Sequence, residues 1–162
     1  MKRMLMSDLA LPVHSVAMRL GPSSEGAARP QAASSAAGRG GVDLAGKSIL
    51  IVEDETFVAL ELKFTVEDAG GVALGPFYRL KPAMDFFSRR EATIDAALLD
   101  VNLAGASVFP LARRLAERGV PIVFNTANAD MPQIARDFPG AHICMKPVPP
   151  QAVLASLRRM LA

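Results

Sequence analysis

Five residues of this chain could do ionic chemistry together. Glu53 and Asp54, Asp100, Thr126 and Lys146 each close an apolar run, in SILIVED, AALLD, PIVFNT and HICMK. Each alone has an ordinary use: Asp54 or Asp100 as the cap of a following turn or helix, Thr126 as a β-branched strand residue, and Lys146, before Pro147, as a solvated turn. Brought to one edge, the three carboxylates repel by on the order of a few kcal/mol per close pair at an effective dielectric near 20. A cation must offset that. Hard oxygen ligands without a Cys/His set favour Mg²⁺ over zinc, held by Asp54, by Asp100 and by Glu53 directly or through water, with the backbone carbonyl of Asn102 as a further ligand. Asp100 keeps an oxygen free to attack a phosphoryl group. In-line transfer asks the protein for positioning and charge neutralisation, which Mg²⁺, Lys146 and the Thr126 hydroxyl supply, and the product is an acyl phosphate.

The elements that must position these residues follow from the apolar patterning. SILIVE (48–53) is a continuous β-branched run, the pattern of a strand covered on both faces. The next segment, ETFVALELKFTVEDAGG, sets Val58, Leu62, Val66 and Ala69 at helical spacing and stops at Gly70 and Gly71. A short strand GVALG, a helix LKPAMDFFSRR with Pro82 in its first turn, and a strand IDAALLD follow. The alternation continues through SVFPLARRLAERG with Val108, Leu111, Ala112 and Leu115 on one face, VPIVFNT, a weakly periodic DMPQIARDF and AHICMK. It closes on PQAVLASLRRML, with Val153, Leu157 and Met160 or Leu161 facing inward. Strands alternating with helices predict an α/β fold with a doubly wound parallel sheet of five strands. Ligands bind such sheets at the carboxyl ends of the strands, near the point where the strand order reverses, and that is the edge the five residues occupy.

A chain of 162 residues is of a size for one core. Residues 1–46, rich in Gly, Ala, Ser, Pro and Arg from Gly21 onward, bury too little apolar area to offset ordering entropy. They are read as a disordered extension, or as lying upstream of the true start given internal methionines such as Met18, and residues 47–162 as the folded domain. The net charge of +2 comes from the extension, with five Lys/Arg against three Asp/Glu, whereas residues 47–162 hold thirteen of each. No clustered basic footprint is present, so nucleic acid is not an expected direct partner. No apolar stretch reaches the length of a membrane span. The first residues, interrupted by Asp8, Pro12 and His14, lack a signal-peptide core. The single cysteine, Cys144, excludes an internal disulfide; it is expected as a buried small residue in a cytoplasmic protein.

The motif set VEDE, LLDVNLAG, FNTAN and MKPV resembles the receiver domain of two-component response regulators over residues 48–161. The stretches LGPFYRL, DVNLAG and RGVPIVFNT are similar to a group of alphaproteobacterial stand-alone receivers whose fourth strand typically reads Phe-Ala-Thr-Gly. Here it reads Phe124, Asn125, Thr126, Ala127. The resemblance implies a flavodoxin-like strand order 2-1-3-4-5 and a phosphoprotein in which Asp100 takes a phosphoryl group from a sensor histidine kinase or a histidine phosphotransfer protein. It further implies Glu53 and Asp54 at the Mg²⁺ site, Lys146 on the phosphoryl group and Thr126 turning toward it as the switch. Ile143 stands where many receivers carry an aromatic residue, so the coupled aromatic rearrangement is not carried over.

With the sequence ending at Ala162, output is expected by contact with a downstream protein, with a homodimer through the fourth helix, fifth strand and fifth helix as the expected self-contact, or by service as a phosphate sink. No enzymatic activity is expected beyond aspartyl phosphotransfer and autodephosphorylation. Two other readings stand beside this one. A receiver-shaped binding module that is never phosphorylated is motivated by Ile143 and Ala127. A small aspartyl-phosphate phosphohydrolase would need a second acid where Asn102 stands, and a cap segment.

Overall fold

The computed structural model describes residues 44–89, 93–127 and 131–162. Seven strands and five helices follow one another in these segments: β1 (Ser48–Val52), α1 (Thr56–Asp68), β2 (Val72–Phe77), α2 (Leu80–Arg89), β3 (Ala96–Asp100), β4 (Asn102–Leu103), β5 (Ala106–Ser107), α3 (Phe109–Glu117), β6 (Ile122–Thr126), α4 (Met131–Asp137), β7 (His142–Met145) and α5 (Pro150–Leu161). The five longer strands form one parallel sheet in the order β2-β1-β3-β6-β7, which is the expected 2-1-3-4-5 order. The two-residue strands β4 and β5 pair antiparallel as a hairpin between β3 and α3, an element the patterning does not predict.

The sheet is apolar on both faces because helices cover both, and alternate residues of each strand serve opposite layers. Leu50, Val52, Ala97, Leu99 and Phe124 pack with the layer formed by α2, α3 and α4. Ile49, Ile51, Leu98, Val123 and Cys144 pack under α1 and α5. All four residues assigned to the buried face of α3 are buried. On α1 the buried residues are Ala59, Leu62 and Val66, with Val58 and Ala69 only half covered, so the contact stripe begins one position later than expected and ends at Val66. Gly70, at φ +83°, ends α1 in the left-handed conformation that a side chain disfavours.

Leu44, which composition places in the extension, is fully buried in the layer under α1, and the backbone N–H of Gly46 donates to the Gly70 carbonyl at 3.1 Å. The rest of the expected extension, residues 1–43, lies outside the described residues.

Replacing Leu44 by alanine is expected to lower unfolding stability by about 2–4 kcal/mol, measured by urea denaturation. A loss below about 0.5 kcal/mol would put residue 44 outside the core.

Candidate functional site

The strand ends converge as the topology requires. Register pairs Asp100 with Asn125 and Asn125 with Cys144, while the β1–β3 pairing of Val52 with Leu99 carries on to set Glu53 beside Asp100. Glu53, Asp54 and Asp100 can each offer one oxygen with all three atoms within 4.8 Å of one another, so the cluster could hold a metal ion. Glu53 is 1% exposed and Asp100 8%. An all-oxygen donor set of this charge suits a hard divalent cation.

Lys146 reaches into this cluster from the end of β7. Its Nζ donates to Asp100 Oδ2 at 2.7 Å and to Glu53 Oε1 at 3.0 Å, and lies 3.5 Å from Glu55 Oε1. The lysine is positioned through its backbone, whose N–H donates to the Thr126 carbonyl at 2.8 Å. Burial disfavours its ammonium, but the hydrogen bonds to Asp100 and Glu53 outweigh that and hold its pKa above the ordinary lysine value. Burial pushes the Glu53 carboxyl up from 4.5 to about 7; the Lys146 hydrogen bond opposes the rise and the neighbouring Asp100 charge adds to it.

Two loops complete the edge. The Asn102 backbone N–H donates to Asp100 Oδ1 at 3.2 Å, and the Asn102 side chain accepts from the Gly105 N–H at 2.9 Å. At the hairpin tip Ala104 and Gly105 both have positive φ, as a two-residue primed turn requires. The Ala104 N–H thereby donates to Asp54 Oδ2 at 2.7 Å. An alanine at φ +51° costs on the order of 1 kcal/mol, and this strain lies against the acidic cluster. Thr126 is 1% exposed at the end of β6.

All five residues that the sequence singles out thus stand at one edge, with Asn102 beside them. His142 is half-buried with Nε2 3.3 Å from the Arg159 guanidinium. Cys144 is buried, its sulfur 3.3 Å from Ser156 Oγ. Three features escape the sequence reading. Glu55 contacts Lys146. Asn125, which patterning treats as an ordinary strand residue, is 1% exposed beneath the acids. Phe57 and Phe64, seven residues apart on α1, are 89% and 57% exposed; helical spacing places them on one face, but apolar residues also line the opposite side of α1, so the spacing alone does not mark which face is open.

Comparison with protein-family models gave no match, and neither did comparison with curated proteins. Solved structures do match. The solution structure of SdrG from Sphingomonas melonis Fr1 is 32% identical over 72% of this chain and 98% of that one, with a TM-score of 0.61. A response regulator receiver protein from Sinorhizobium medicae WSM419 is 22% identical over 72% and 94% of the two chains, TM-score 0.64. The receiver domain of the Erythrobacter litoralis response regulator PhyR is 21% identical over 72% and 91%, TM-score 0.63.

The raised Glu53 carboxyl makes the fold bind a proton more readily than the unfolded chain between pH 4.5 and about 7. Its favourable contribution is complete below 4.5 and is lost as pH rises through about 7. Without divalent cations, the stability difference between wild type and Glu53→Gln should therefore move in favour of the variant by up to about 3 kcal/mol from pH 4.5 to pH 8, read by urea denaturation across that range. A difference independent of pH would contradict the assignment.

Proposed function

This chain belongs to the receiver family of response regulators, and from that premise we propose that Asp100 accepts a phosphoryl group from a phosphohistidine donor in a Mg²⁺-dependent reaction. The observation that carries the reading is the Lys146 ammonium 2.7 Å from an Asp100 oxygen inside a three-carboxylate cluster. In this reaction Asp100 Oδ attacks phosphorus, the P–N bond to the donor imidazole breaks, and the imidazole keeps the electron pair. Asp54, Asp100 and Glu53, with the Asn102 carbonyl, are the residues that would hold the cation, which when bound neutralises the phosphoryl oxygens. Lys146 exchanges its hydrogen bond to the Asp100 carboxylate for one to the transferred group, and the Thr126 hydroxyl turns toward the same oxygens. Their burial excludes water from the new acyl phosphate.

The donor is a sensor histidine kinase or a histidine phosphotransfer protein. A docking face for it is supported by Phe57 and Phe64, which line one shallow groove with Pro150 next to the site, because large exposed apolar residues on one helix face mark contact surfaces. Output runs through contact with a downstream protein or a second copy of this chain at the α4, β7 and α5 surface, where Met145 is 47% exposed on the edge strand. The protein works in the cytoplasm as a switch or phosphate sink.

Incubation with Mg²⁺ and acetyl phosphate should add one phosphoryl mass to wild type and none to Asp100→Asn, read by intact mass spectrometry. No adduct on folded wild type, with a phosphohistidine donor failing as well, would favour a phosphorylation-independent binding module. Phe57→Ala should slow transfer from a phosphohistidine protein about tenfold, roughly 1.4 kcal/mol of lost docking, while leaving acetyl phosphate uptake unchanged. Equal loss with both donors would remove Phe57 from the docking face.

A further inference from the structure

Asn125 lies in the row Glu53, Asp100, Asn125, Cys144 that the strand register draws across the carboxyl edge, on the side that faces α1 and α5. Its side chain is 1% exposed. A buried carboxamide costs on the order of 1–3 kcal/mol for each polar atom left without a partner. Asn125 carries that burden: Nδ2 has a long, 3.5 Å contact to Glu53 Oε2, and Oδ1 has no hydrogen-bond partner. The same residue lines a cavity of about 460 Å³ with Glu55, Val58, Glu61, Lys146 and Val148. Its neighbour along the strand, Val123, shows that an apolar side chain packs on this face, so the amide is not needed to fill space.

The oxygens of Glu53 divide their partners. Oε1 accepts from Lys146 and, at 3.4 Å, from the Glu55 N–H, whereas Oε2 accepts from the Asn125 amide, and the carboxyl also lies in hydrogen-bond contact with the Asp100 side chain. We propose that Asn125 is a positioning residue for the cation site. Its Nδ2 holds Oε2, which fixes the carboxylate plane and leaves Oε1 as the oxygen that Lys146 gives up to a cation. The inference rests on the phosphoryl-accepting reading only through its cation; it adds the residue that sets how firmly Glu53 is held. Outer-shell partners that orient a metal ligand typically govern metal affinity by tenfold or more.

Mg²⁺ affinity, measured by isothermal titration on the full chain, separates this role from a packing role. Asn125→Ala and the similarly branched Asn125→Leu should each weaken Mg²⁺ binding roughly tenfold, and both metal-free variants should still melt cooperatively. In a Glu53→Gln background the same substitutions should change Mg²⁺ affinity less than twofold, since the effect passes through Glu53. Unchanged affinity in folded Asn125→Ala and Asn125→Leu, or an equal loss with and without Glu53, would overturn the proposal. Failure of the phosphoryl-accepting reading is seen separately, as a wild type that binds Mg²⁺ but gains no mass from acetyl phosphate.

Discussion

The Lys146 ammonium is what allows three carboxylates to share one buried edge. Glu53, Asp54 and Asp100 lie close enough for one ion to touch them all, and without a counter-charge their mutual repulsion would work against closure of the strand ends. Lys146 supplies that charge through short contacts to Asp100 and Glu53. The remaining strain shows in Glu53, whose carboxyl is pushed up to about 7 by burial. The carboxylates that Lys146 contacts, Asp100 and Glu53, are two of the three that could hold an ion.

This arrangement depends on the parallel topology. Only a sheet whose strands run the same way gathers the carboxyl ends of β1, β3, β6 and β7 into one rim, and only crossover helices make that sheet possible. The order β2-β1-β3-β6-β7 sets β3 at the centre, so Asp100 is flanked by Glu53 from one side and Asn125 from the other. The β4–β5 hairpin then closes over the top, and its tip alanine binds Asp54 through the backbone at the expense of a positive φ.

Much of this was legible in the residues. Continuous runs such as SILIV and AALLD identify doubly covered strands, and strand ends rich in acids, a hydroxyl and a lysine identify the site, because both signals are periodic or positional. What lay beyond reach has physical reasons. A hairpin of two-residue strands has no period to detect. Leu44 sits in a stretch whose composition is that of a linker, and its burial is decided by α1 and the sheet, not by its neighbours in sequence. Asn125 falls at an inward position of β6 where patterning predicts an apolar residue. Its departure from that pattern was visible, but what it means comes only from Glu53 lying across the row. Phe57 and Phe64 are exposed because α1 has apolar residues on two faces and only the one carrying Ala59, Leu62 and Val66 is buried.

The central claim is that Lys146 stands in for a cation among the carboxylates. Titrating Mg²⁺ into wild type and Lys146→Met at neutral pH tests it most directly. The account expects Lys146→Met to bind Mg²⁺ several-fold more tightly, because the competing ammonium is gone and the carboxylates are left to the ion. Equal or weaker binding by the folded variant would contradict it.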